Sequence, residues 1–179
     1  MTTQRKRKKQ HYVNNSDFLA AMVDYRNLVI ASKNDNTDRP KMPNYIGECF
    51  IKIATHLSYK PNFINYTFRD DMIADGIENC IQYVDNFDPA KSENPFAYFT
   101  QIIYFAFLRR IQKEKKQLYI KYKSMERSGL YDGVISTNDN PYEPRNLRIA
   151  VDVEIYDNMK EFINTFEESQ KTKKSKNKT

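Results

Sequence analysis

The chain contains no tryptophan, and glycine, cysteine and histidine are all scarce. Its 179 residues include only four glycines, two cysteines and two histidines. No alternation of apolar and polar residues is long enough to compete with the helical spacing found throughout, so the sequence predicts an all-α core. Cys49 and Cys80 each lie among apolar residues at helical spacing, without a CxxC pair. We therefore expect buried, reduced thiols and neither a disulfide nor a metal site.

Groups that could support catalysis or membrane insertion are equally sparse. His11 and His56 are isolated, and the scattered carboxylates form no recognisable acid–base or metal set, so we expect no enzymatic activity, cofactor or metal. The apolar runs are far shorter than the roughly 20 residues that cross a bilayer. The basic residues at positions 5–9 are not followed by the apolar stretch of a secretory signal. The expected location is the cytoplasm, away from membranes.

The net charge of +6 is unevenly distributed along the chain. Residues 1–10 and 171–179 carry five cations each, which leaves a net charge of −4 on the remainder. Residues 109–123 are the exception, with seven cations against the single acid Glu114. A basic patch on a mildly acidic body indicates nucleic acid binding through one face, while the acidic remainder suits a basic protein partner.

Apolar residues at helical spacing predict three helices in the first half of the chain. The first follows cap residues at 14–17 and ends near Ser32, before a polar loop at 33–43. The second includes residues 46–57, and the third begins near Asp70 or Asp71 and ends before residues 87–89. The residues expected to be buried are Phe18, Leu19, Met22, Val23 and Val29, then Ile46, Cys49, Phe50, Ile53, Ala54 and Leu57, and finally Met72, Ile73, Ile77, Cys80, Ile81 and Val84.

The fourth predicted helix starts at the Asn94–Pro95 pair and runs to about Lys121, since no proline or glycine interrupts it before Gly129. Its core side is expected to hold Phe96, Ile103, Phe107 and Ile111. The opposite stripe changes from aromatic to basic, which suits DNA with unpaired bases beside a duplex. Packing of the aromatics against another helix, and lysines that complement the helix dipole, are the alternatives. The stripe consists of Tyr98, Gln101, Ile102, Phe105, Arg109, Gln112, Lys113 and Lys116.

The last third of the chain has weaker signals. Residues 128–144 are rich in glycine, asparagine, aspartate and proline and are expected to be irregular. A short amphipathic helix is expected around Ile155, Met159, Phe162, Ile163 and Phe166, and the lysine-rich end after Gln170 has too little apolar content to fold. The predicted organisation is a flexible basic arm at 1–11, a helical domain at 12–123, and a linker, short helix and basic tail at 124–179.

Residues 70–116 resemble the conserved second region of bacterial sigma factors. The shared pattern is a helix with an acidic start and an internal glycine, a Phe-Asp pair, a spacer, an aromatic-rich run and a basic helix. The resemblance is closest to late-transcription sigma factors of T-even-type bacteriophages, through YVNN at 12–15, MIADGIE at 72–78, NFD at 86–88, NPxAYxTQ at 94–101 and RIxKExK at 110–116. It implies that residues 12–123 form the compact helical bundle of a sigma region-two domain.

The resemblance also implies roles for individual residues. Asp71 and Asp75 match the acids with which sigma factors bind the coiled coil of the largest polymerase subunit, and Glu78 lies one helical turn further on. Tyr98 matches the tyrosine on which a flipped adenine of the minus-ten element stacks. Gln101 and Ile102 match the paired tryptophans that open the duplex, and because neither is aromatic here, Ile102 or Phe105 is expected to act as the wedge.

The implied partners are the host RNA polymerase core and promoter DNA, in the cytoplasm of the infected bacterium. The protein would recognise and help to melt an A/T-rich minus-ten-like element of late promoters. No segment resembles the domain that reads the upstream element. Phage relatives instead bind the sliding clamp through a short C-terminal motif, together with a late co-activator, and the candidate motif here contains Phe162, Ile163 and Phe166. The alternative is a helical regulator that binds duplex DNA without polymerase, which would leave the acidic third helix unexplained.

Overall fold

The computed structural model describes residues 12–128 and 144–176. Within them every regular element is helical, which confirms the predicted all-α fold, and no helix in these residues is both long and apolar enough to cross a membrane. The elements are α1 (Asn15–Asn34), α2 (Asn44–Ser58), α3 (Arg69–Gln82), a 3-10 turn (Val84–Asn86), α4 (Pro95–Arg127) and α5 (Pro144–Lys176).

The chain forms two compact units, Met1–Ile111 and Gln112–Thr179. The first contains α1, α2, α3 and the beginning of α4, and the second contains the rest of α4 and α5. The boundary between the two units therefore falls within α4. The predicted flexible arm at 1–11 and most of the predicted irregular segment lie outside the described residues.

Aromatic side chains form the centre of the first unit. Phe18, Phe50 and Phe99 are completely buried, with ring centroids 4.6 Å apart for Phe50 and Phe99 and 5.7 Å apart for Phe18 and Phe99. Such tilted pairs add about 0.5–1.5 kcal/mol each to the free energy of burial. The helices α1, α2 and α4 are therefore joined through one aromatic cluster.

The predicted core of α1 and α2 is largely correct, whereas that of α3 is too broad. The buried residues of α3 are Met72, Gly76 and Cys80, which lie four apart along one narrow stripe. Ile81 is 49% exposed, so its predicted burial is wrong. Leu19, Val23, Leu57, Ile73, Ile77 and Phe96 are only half-buried, while Tyr25, Phe99 and Ala106 are buried although the pattern did not single them out.

Gly76 explains why α3 and α4 can pack so closely. A Cβ atom at this position would lie 3.0 Å from Ile103 Cγ2 and 3.1 Å from Phe107 Cε1. Both side chains are fully buried. The internal glycine of the MIADGIE motif is therefore needed for helix packing.

Two asparagines cap the start of α4. The Asn94 side chain accepts a hydrogen bond from the Ala97 amide at 2.9 Å. Asn15, from α1, accepts one from the Phe96 amide at 3.2 Å and donates one to the Glu93 carbonyl at 3.1 Å. Pro95 has no amide hydrogen, so the first turn of α4 has its donors satisfied. Asn15 of the YVNN motif thus links the start of α1 to the start of α4 through two hydrogen bonds.

In the second unit, the end of α4 packs against α5. Met159 and Ile163 are each 2% exposed, and the Tyr119 ring stacks on Phe166 at 4.6 Å. The Tyr119 hydroxyl donates to Glu167 Oε1 at 2.9 Å, and Lys123 pairs with the same carboxylate at 3.3 Å. These contacts make the two segments one hydrogen-bonded and stacked pair.

The prediction that the chain does not fold after Gln170 is wrong, because α5 continues to Lys176. The helix also begins earlier than expected, at Pro144. Proline is favoured at the first helical position because an amide hydrogen there would have no acceptor within the helix. Neither proline nor glycine interrupts residues 145–176. Lysines near the end of a helix complement its dipole, which compensates for the low apolar content.

Candidate functional site

The predicted polymerase-binding acids Asp71 and Asp75 both pair with Arg110 of α4. Arg110 Nη2 lies 3.1 Å from Asp71 Oδ2, and Arg110 Nη1 lies 3.3 Å from Asp75 Oδ2. The Arg110 side chain is 18% exposed and that of Asp71 is 59% exposed. The two carboxylates therefore share one guanidinium cation within the protein, and Asp71 is the more exposed of the two.

Glu78, the third predicted acid, has a different environment. It is exposed and has no ion pair among the described residues. Together with Ala74, Ile77, Ile81 and Gln82 it lines a surface depression on α3. Sequence reasoning missed this surface because it counted Ile77 and Ile81 as core. The sequence does contain a signal for this exposed apolar surface, because the apolar residues of α3 cover more of the helix circumference than one buried stripe requires.

The aromatic part of the predicted DNA-binding stripe divides into exposed and packed residues. Gln101 is exposed and Phe105 is 47% exposed. Tyr98 and Ile102 are only half-buried and pack against the core, with the Tyr98 ring 5.4 Å from Phe87. Burial also raises the pKa of the Tyr98 hydroxyl. Packing against the core therefore covers at least one side of Tyr98 and of Ile102.

Tyr104 belongs to the exposed face of α4 although the sequence pattern did not select it. It is 36% exposed, and its ring lies 5.8 Å from that of Phe105 at an angle of 74°. The exposed face is rotated from the predicted stripe toward Tyr104. Counting Phe99 among the core residues would have indicated this rotation, because Phe99 is fully buried.

The basic part of the stripe begins with Arg109, which is exposed and donates from Nη2 to Asn79 Oδ1 at 2.7 Å. In the second unit, Gln112, Lys113 and Lys116 are exposed, and neither lysine has an ion pair among the described residues. Unpaired lysines on a helix surface are available to phosphate groups.

The residues predicted to contact a sliding clamp pack against other residues of the second unit. Ile163 is 2% exposed, Phe166 stacks on Tyr119, and the Phe162 ring meets Tyr122 edge-on at 5.6 Å. A partner that binds these three side chains would have to displace the two tyrosines of α4.

Both cysteines are free and buried, as predicted. Burial raises the pKa of the Cys80 thiol to about 12 and also raises the pKa of Cys49. His56 is exposed and stacks on Tyr12 with ring centroids 3.8 Å apart. In the part of the chain that the structure describes, no group of three or more histidines, cysteines or carboxylates could hold a metal ion.

Comparison of the chain with models of protein families finds no match, and comparison with curated proteins finds none either. The sequence pattern of residues 70–116 and the surfaces of α3 and α4 are the features that indicate a function.

Proposed function

We propose that this protein is a phage-encoded sigma factor, which binds the host RNA polymerase core through α3 and directs it to late promoters through α4. The observation that carries this proposal is the contrast between two neighbouring helices. The surface of α3 is acidic and apolar, whereas residues 94–113 contain no acid and expose aromatic residues and cations. A protein that joins a basic protein surface to DNA needs both chemistries.

The polymerase contact is centred on Glu78 and Ile81, with Asp71 at its edge. An apolar depression lined by one carboxylate, that of Glu78, suits a partner that presents apolar and basic side chains, such as the coiled coil of the largest polymerase subunit. Asp75 lies deeper and is held by Arg110 at 3.3 Å. Its main role in this proposal is to orient Arg110.

The DNA contact begins at Gln101 and Phe105. Stacking of an unpaired base on an exposed aromatic ring contributes about 1–3 kcal/mol to the free energy of binding, and nearby cations bind phosphates. Phe105 is more exposed than Ile102, which favours Phe105 as the wedge that helps to open the minus-ten-like element. Arg109, Lys113 and Lys116 bind the backbone of the adjoining DNA.

The sliding clamp and a late co-activator are further proposed partners. A clamp contact through Phe162, Ile163 and Phe166 requires these residues to separate from α4. Such a contact would therefore compete with the packing of α5.

Polymerase binding is tested by co-purification of the full chain with a bacterial core enzyme. Glu78→Lys should weaken binding at least tenfold, since like charges at an interface cost several kcal/mol. Glu93→Lys is the matched control, because Glu93 is exposed and lies outside the α3 surface. Neutral substitutions, Asp71→Asn and Asp75→Asn, are preferable to lysine, which would repel Arg110 and disturb the fold. Equal binding of the Glu78→Lys and Glu93→Lys variants would remove the polymerase assignment.

DNA opening is tested by permanganate footprinting of unpaired thymines on late promoters. Phe105→Ala should impair opening by the holoenzyme, while Arg109→Ala should weaken initial binding in a salt-dependent way. Duplex binding without polymerase, combined with unchanged opening by Phe105→Ala, would favour the alternative of a regulator that acts alone.

A further inference from the structure

The connection between α2 and α3 is seated on α4 through Phe63. This side chain is 2% exposed, and its ring contacts Tyr104 at 5.6 Å and Phe107 at 5.2 Å, both edge-on. The connection is also ordered by its own backbone, since the Phe63 and Ile64 amides donate to the Lys60 carbonyl at 2.8 and 3.0 Å. Phe63 thus supports the ring of Tyr104 from one side.

The two segments that meet at this contact contain cations but no acidic residue. Residues 49–69 and residues 94–113 include no aspartate or glutamate. Lys60 is exposed one turn before Phe63, and Arg69 lies over the Tyr59 ring at 4.9 Å. The charge of this surface is therefore complementary to an anionic partner.

Exposed apolar side chains accompany the cations. Tyr104, Phe105 and Ile64 are 36%, 47% and 45% exposed. Tyr104 rests on Phe63 and neighbours Phe105, so it is held in place while part of its ring faces solvent. A supported, solvent-facing aromatic ring beside cations has the chemistry that binds unpaired nucleotides.

We propose that residues 59–64, together with Tyr104 and Phe105, bind single-stranded nucleic acid. An unpaired base stacks on Tyr104, and Lys60 binds a neighbouring phosphate. The inference extends the DNA contact of the proposed function from α4 to the α2–α3 connection. Its test uses the protein without polymerase, so that the two proposals can fail separately.

The absence of tryptophan makes a direct test possible. Tyr104→Trp introduces a single tryptophan into the full chain, and stacking of a short oligothymidylate at low salt should quench its fluorescence. The matched control is Tyr83→Trp, because Tyr83 is 40% exposed and lies at the end of α3. The control should keep its fluorescence. Binding of the oligonucleotide without quenching in the Tyr104→Trp variant, or no binding at all, overturns the proposal.

Affinity measurements give a second readout. Tyr104→Ala should lower the affinity for oligothymidylate about tenfold, whereas Tyr104→Phe should retain it, because stacking needs the ring and not the hydroxyl. Lys60→Glu should weaken binding and reduce the salt dependence of log K by at least about 0.7. Lys41→Glu, the same change at another exposed lysine, should have a smaller effect. Circular dichroism checks that each variant is folded.

The outcomes distinguish the two proposals. Reduced oligonucleotide affinity in Tyr104→Ala, combined with no polymerase binding by the parental chain, supports this surface and removes the sigma assignment. Parental affinity in Tyr104→Ala and equal effects of the Lys60 and Lys41 substitutions overturn this inference, even if the protein binds polymerase.

Discussion

Replacing Gly76 by alanine should destabilise the first unit by about 1 kcal/mol. Alanine is favoured over glycine in a helix by about 1 kcal/mol, but an extra methyl group in a packed core costs about 1–3 kcal/mol. Here the new Cβ would lie 3.0 Å from Ile103 and 3.1 Å from Phe107. Both neighbours are fully buried, and the branched Ile103 side chain has one preferred rotamer in a helix. Neither can move aside freely, so the packing cost exceeds the gain in helix propensity.

Gly47 provides the matched control within the same unit. It also lies inside a helix, α2, but its added Cβ would meet only the end of the Met42 side chain, at 3.9 Å. Gly47→Ala should therefore stabilise the protein by about 1 kcal/mol. The two substitutions are chemically identical, so the difference of about 2 kcal/mol between them measures the surroundings of Gly76.

The assay is urea unfolding followed by circular dichroism, with the midpoints of the two variants compared with that of the parental chain. Ile103→Ala removes Cγ1 and Cγ2 of Ile103, both of which would crowd the new Cβ. In that background, Gly76→Ala should lose most of its destabilising effect, which a double-mutant cycle would measure as a coupling energy. If Gly76→Ala stabilised the parental chain as much as Gly47→Ala does, the close packing of α3 on α4 would be refuted.

Three further predictions concern reactivity, pH and capping. Cys49 and Cys80 should react slowly with iodoacetamide at pH 8 in the folded protein and rapidly in urea, because burial raises both pKa values; rapid native labelling would contradict their burial. Hydrogen bonds from Tyr119 and Lys123 lower the pKa of Glu167, so its contribution to the stability of the second unit should be present above pH 4.5 and decrease as the pH falls below it. Glu167→Gln should remove that part of the pH dependence measured by thermal unfolding. Asn15→Ala should lower the free energy of unfolding by about 1 kcal/mol in urea titrations, since it leaves the Phe96 amide without its cap; an unchanged midpoint would contradict the cross-helix cap.

Much of the helical organisation could be predicted from local patterns. The repeat in α2 fits a single buried stripe, and Asn94 with Pro95 marks the start of α4 because each residue acts on its own backbone neighbourhood. The end of the chain was harder to predict. The lysine-rich residues after Gln170 lack apolar content, yet nothing in residues 145–176 breaks a helix, and α5 continues to Lys176.

The chemistry of the candidate surfaces also follows from the sequence. The acids at the start of α3 and the acid-free, aromatic and basic character of residues 94–113 are properties of residue types and their order. They indicate a protein partner on one helix and nucleic acid on the other. No contact between distant residues is needed for that conclusion.

The tertiary structure alone decides which of these side chains are available. Helical periodicity sets the angles between residues of one helix, but the direction that faces the core depends on packing with the other helices. That packing half-buries Tyr98, exposes Tyr104 and Ile81, and pairs Arg110 with acids more than thirty residues away. Such contacts join parts of the chain that no local pattern connects, which is why the functional surfaces differ from the predicted stripe while the helices largely agree.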